Sequence, residues 1–117
     1  MTAIAAERLL DRLARSGLEP EARAAATWTD WANGPRDAYA RHQHDYDKVI
    51  EVTRGAITFR LIATGQDVQL AAGQRLRLAA GTEHAAVVSD EGVACLELHL
   101  PAGTLASLRE TAAADGA

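Results

Sequence analysis

Cysteine occurs once in this 117-residue chain, at Cys95. A single cysteine excludes an intrachain disulfide framework and makes the cytoplasm the expected location. Long hydrophobic runs are missing too: no segment reaches the ~18–20 apolar residues that a membrane span needs. The opening stretch MTAIAAERLLDRLARSG puts Glu7, Arg8, Asp11 and Arg12 where a signal peptide would be apolar. Nor is there a basic stripe. With a formal net charge of −4 and scattered arginines, neither nucleic acid nor a membrane is an expected partner. The remaining composition, 48% hydrophobic and 24% charged, is that of one globular domain, long enough to bury a core and too short for two.

Within residues 1–26, positions 3–16 predict an amphipathic helix. Ala6, Leu9, Leu10 and Leu13 recur at helical spacing, and Glu7, Arg8, Asp11, Arg12 and Arg15 fill the other face. Gly17 supplies a left-handed end, and residues 18–26, with Pro20 among them, read as a connector. From Thr27 the texture changes to short strands divided by glycine turns. The first is TWTDW, followed by the turn Asn33-Gly34-Pro35. Further strands are expected over 38–42, 48–54, 56–62, 68–70, 75–78, 84–89 and 93–100. Many short strands at regular spacing indicate a sandwich or barrel over 27–102 rather than an α/β sheet. The tail, 103–117, has Leu105 and Leu108 at the spacing of a short helix.

The chemistry concentrates in the stretch HQHDYDK, residues 42–48. On a strand of period two, His42 and His44 fall side by side on one face, where two imidazoles can converge on one ion. His84 opens a later strand directly after the turn AAGTEH, from which a third ring can reach the first two.

This arrangement resembles the cupin superfamily of small jelly-roll barrels. The first cupin motif runs Gly, five residues, His-x-His, three or four residues, Glu, six residues, Gly. His42, His44 and Gly55 stand at its positions, while Arg36 replaces the opening Gly and Lys48 replaces the Glu. The second motif runs Gly, five residues, Pro-x-Gly, two residues, His, three residues, Asn. Gly73, Gly81 and His84 match it, and Ala79 and Val88 replace Pro and Asn. The resemblance spans about residues 34–100. It implies an all-β cupin jelly-roll barrel, here with an N-terminal α-helix and a short C-terminal helical tail. It also implies a divalent metal held by His42, His44 and His84, with zinc, nickel, iron and copper all compatible with imidazole ligands.

Lys48 interrupts the implied ligand set, because an ammonium neither ligates a metal nor offsets its charge. Three arrangements are open. Lys48 swings out to pair with Asp45 or Asp47 in a hydrated loop, or lies in the barrel as an acid, base or anion anchor, or fills a pocket that has lost its metal. Alternation with Ile50 and Val52 favours the second. In VACLELHL, Cys95, Glu97 and His99 share one face and Leu96 and Leu98 the other. Glu97 then either pairs with Lys48 or binds the ion, and His99 adds a ligand or a proton shuttle; alternatively the polar face is simply solvated. Cys95 reads as a buried small hydrophobe, and Trp28 and Trp31 as packing residues. The functions that follow are a metal-dependent enzyme on a small organic acid or carbonyl compound, oxygenase- or isomerase-type, with Lys48 and Glu97 as catalytic residues, or a non-catalytic small-molecule-binding or sensing module. A homodimer is expected in either case, because the narrow apolar stripe of the helix needs a docking surface and two-fold dimers are the commonest solution.

Overall fold

The computed structural model of the protein describes residues 2–109. Helix α1 (Thr2–Arg15) is followed by a second, short helix, α2 (Pro20–Ala25), where a connector was expected. Pro20 starts this helix instead of breaking one: it sits in the first turn, where its missing N–H goes unmissed. Arg23 ties the two helices together through Glu7 at 3.0 Å and Asp11 at 2.8 Å.

Six strands follow: β1 (Thr27–Asn33), β2 (Ala38–His42), β3 (Asp47–Leu61), β4 (Gln66–Ala71), β5 (Arg75–Leu78) and β6 (His84–Leu100). Two of the expected breaks are not turns. The strand pairs at 48–54 and 56–62, and at 84–89 and 93–100, are the single long strands β3 and β6, which run antiparallel along their whole length. Register shifts at Val52/Arg54 and Gly55/Ile57 interrupt that ladder and divide it into two halves. In the first, β1, β6, β3 and β5 lie in that order; in the second, β2, β6, β3 and β4 do. The sheet is not closed by hydrogen bonds, so the expected closed barrel is corrected to an open sheet of two joined halves. The expected helical tail is a single 3-10 turn at Leu105–Ser107, and residues 110–117 lie outside the described residues.

The alternation of β6 feeds two cores. Leu96, Leu98 and Leu100 meet Ala6, Leu9, Leu10 and Leu13 of α1 on the outer face of the first half. Each leucine buried there contributes about 1.5–3 kcal/mol relative to exposure. Cys95 and Val93 turn the other way, into a core with Ile50, Val52, Ile57, Phe59 and Val88. The stripe of α1 is thus covered within its own chain, and it supplies no argument for a partner. Among the described residues, no helix is long and apolar enough to cross a membrane.

Candidate metal centre

The three predicted imidazoles come together, though not as a strand pair. His42 is the last residue of β2 and His44 lies beyond it in the following loop, held there by Gly81 N–H, which donates to the His44 carbonyl at 2.8 Å. His84 opens β6 directly opposite His42 in the ladder. The ring centroids lie 4.9 Å apart for His42–His44, 4.4 Å for His42–His84 and 5.7 Å for His44–His84. One nitrogen from each ring falls within 4.8 Å of the other two.

Hydrogen bonding fixes the tautomers of two rings. Nδ1 of His42 is 2.8 Å from the Ala40 carbonyl and Nδ1 of His84 is 2.8 Å from the Thr82 carbonyl. A carbonyl only accepts, so both Nδ1 atoms carry hydrogen, and in the neutral ring that leaves the lone pair on Nε2. His84 is 2% exposed, and its Nε2 has no hydrogen-bond partner among the described residues. A buried acceptor left unmade is costly and rare. Burial, reinforced by Lys48 and the neighbouring rings, lowers the pKa of His44. Burial does the same to His84 against the bond to Thr82, which raises it. Neutral imidazoles whose Nδ1–H is fixed by a carbonyl are the usual form of metal-binding histidine. The residues fit a divalent transition ion.

Lys48 lies inward, 6% exposed, with Nζ 3.2 Å from His44 Nε2 and 3.7 Å from Glu97 Oε2. Burial lowers its pKa, and the Glu97 charge partly restores it. Glu97 is buried as well. Trp31 Nε1 donates to its Oε2 at 3.0 Å, and His99 Nε2 lies 2.7 Å from its Oε1. Burial alone pushes this carboxyl up, but Lys48, His99 and Trp31 together hold it below the ordinary range. His99 therefore sits behind Glu97, its ring tilted against that of Tyr46 with centroids 4.4 Å apart, and not among the three rings. Burial, with Glu97 adding to it, pushes the Cys95 thiol up to about 12, as fits a packing residue.

Asp47, expected to stay hydrated, is 1% exposed. It accepts from Ala80 N–H and Leu105 N–H, each at 2.8 Å, and so pins the turn before His84 and the C-terminal segment to the start of β3. Trp28 is 43% exposed, but Trp31 does more than pack: it lines the pocket. That cavity, about 240 Å³, opens between the two sheet halves, with the histidines, Lys48 and Glu97 as its polar groups and Trp31, Tyr39, Ile50, Ile57 and Phe59 among its walls. Period-two alternation along TWTDW sets Trp28 and Trp31 on opposite faces of β1, which is the signal in the sequence for their different surroundings.

No family model and no curated protein matches the sequence. Solved structures do. KdgF from Halomonas sp. is 22% identical over 65% of this chain and 69% of its own, with a TM-score of 0.59. An RmlC-like cupin from Shewanella frigidimarina is 19% identical over 67% and 68%, with a TM-score of 0.58. The polyketide cyclase RemF from Streptomyces resistomycificus is 18% identical over 64% of this chain, which spans about half of RemF (54%), with a TM-score of 0.59. The chain has the cupin fold, and a histidine triad able to hold a metal ion lies within it.

Proposed function

We propose that the protein is a metal-dependent cupin enzyme acting on a small organic acid or carbonyl compound, with His42, His44 and His84 holding the ion. The observation that carries the reading is the buried, unpartnered Nε2 of His84 facing two further imidazoles. A divalent ion there supplies Lewis-acid polarisation, or redox chemistry if it is iron or copper. Around it, Lys48 offers its ammonium to an anionic or carbonyl oxygen of the ligand. Glu97, anchored by Trp31 and His99 and held below the ordinary carboxyl range, balances that charge as a carboxylate and takes a proton at Oε2. Ile50, Ile57 and Phe59 exclude water. A cavity of about 240 Å³ lies below the ~300–1,000 Å³ of drug-sized sites, which suits a compact ligand. The structural likeness to RemF, named a polyketide cyclase, favours an enzyme. On this reading the two sheet halves are the two layers of a jelly roll that hydrogen bonds leave open, and the molecule works as a cytoplasmic homodimer; a monomer mass by light scattering at micromolar concentration removes the dimer.

A second reading is a non-catalytic small-molecule-binding module. It is favoured by Lys48, which stands at the carboxylate position of the motif and hydrogen-bonds the His44 ring. Elemental analysis of untagged protein purified without added metal separates the two. A stoichiometric redox metal supports an oxygenase, and zinc or nickel supports an isomerase-type role. Metal-free protein that also fails to take up added zinc ends the enzyme reading and leaves the binding module.

A further inference from the structure

Lys48 stands between two acceptors, His44 Nε2 at 3.2 Å and Glu97 Oε2 at 3.7 Å. A neutral imidazole has a single lone pair. When an ammonium donates into Nε2, the other nitrogen carries the hydrogen, and His44 has nothing left for a cation whichever edge it presents. The triad and this contact therefore exclude one another. Glu97 offers a seat that is already built, since Trp31 and His99 hold both of its oxygens in place from β1 and β6. Lys48 is also the only lysine of the chain; the rest of its twelve lysine and arginine residues are arginine. A compact ammonium on a flexible stem can change partners over a short distance, whereas the rigid guanidinium fork of arginine is suited to holding one.

We infer that Glu97 is a positioning residue that draws Lys48 off His44, so that the three imidazoles become available together only when Lys48 sits on Glu97. Glu97 then sets the metal affinity of the site without touching the metal. The inference rests on the metal-binding reading above and goes beyond it, because it assigns Glu97 an effect that acts wholly through Lys48.

The test is a double-mutant cycle on zinc affinity, measured by competition with a chromophoric chelator on the full chain. Glu97→Gln weakens zinc binding by about fivefold or more, the lower end of ordinary coupling between sites. Lys48→Met tightens it. In the Lys48→Met background, Glu97→Gln changes affinity by less than about twofold, the scatter of independent sites. A second readout uses the single lysine: selective 15N-lysine labelling puts one side-chain amine in the spectrum, and zinc shifts it in the wild type. If Glu97→Gln does not fold, Glu97→Asp, which withdraws the carboxylate by one methylene, carries the same cycle. An equal loss in both backgrounds means Glu97 acts on the ion directly and overturns the inference while leaving the metal site standing. No loss in the wild-type background overturns it as well. Wild-type protein that binds no zinc overturns both this inference and the reading beneath it.

Discussion

Two carboxylates, Asp47 and Glu97, are buried beside the pocket for different reasons. Asp47 is structural: its oxygens satisfy two backbone N–H groups that have turned away from any ladder. Removing both acceptors strands two buried donors, at about 1–3 kcal/mol each. Asp47→Ala is therefore expected to lower unfolding free energy by about 2–5 kcal/mol in a denaturant titration, and a loss under about 1 kcal/mol would show those bonds to be dispensable. Glu97 is electrostatic. Its carboxyl is held below the ordinary range, despite burial, by Lys48, His99 and Trp31. A depressed carboxyl contributes stability that is complete above its unfolded pKa of ~4.3 and is lost as pH falls through the folded value. The stability gap between wild type and Glu97→Gln should be steady from about pH 6 to 7 and narrow below about pH 4. A gap that widens on acidification would reverse the sign of this account. At this scale alternation read Lys48 well, because Ile50 and Val52 share its inward face. It could not read Glu97, because both faces of β6 are buried: α1 covers the leucine side, so no solvated face remained to mark the difference.

Among the elements, the bend in the β3–β6 ribbon decides where the pocket lies. Gly55 has φ +75, and a Cβ built there would sit 2.1 Å from the Gly92 carbonyl oxygen. Both the left-handed backbone and the contact with backbone atoms demand glycine. Gly55→Ala should cost about 2 kcal/mol or more, which lowers the melting midpoint by roughly 8 °C or more in a domain of this size. An unchanged midpoint would mean the ribbon is not pinched there. Arg36 tells the reverse story. It stands where the motif has its opening Gly, and it is the one described non-glycine residue with positive φ, at 62°. Its ion pair with Asp90, at 3.3 Å between two well-exposed side chains, contributes little. Arg36→Gly should raise stability by up to about 1 kcal/mol by relieving the left-handed strain, and a destabilised variant in thermal melts would contradict this. The strand texture was legible because glycines punctuate it. Gly55 and Gly92 misled because a bulge in a continuous strand uses the same residue as a turn between strands. Helix α2 was hidden by its length of six residues, too short to display a period.

At the scale of the molecule, two cores and a pocket share one long ribbon, with a helix on its outside and the histidines at the mouth between its halves. The triad was legible from spacing, since His42, His44 and His84 keep the separations of a known motif even though one of them lies off the strand. The wall of Trp31, Tyr39 and Phe59 was not, because it is assembled from β1, β2 and β3, which only the folded sheet brings together. The central claim is that this assembly holds one metal ion on three imidazoles. Zinc titration of untagged protein against a chelator, followed by elemental analysis, tests it directly. The account predicts one zinc per wild-type chain, and a His42→Ala, His84→Ala double variant that keeps its circular dichroism spectrum and loses the metal. A folded double variant that retains full metal content would contradict it.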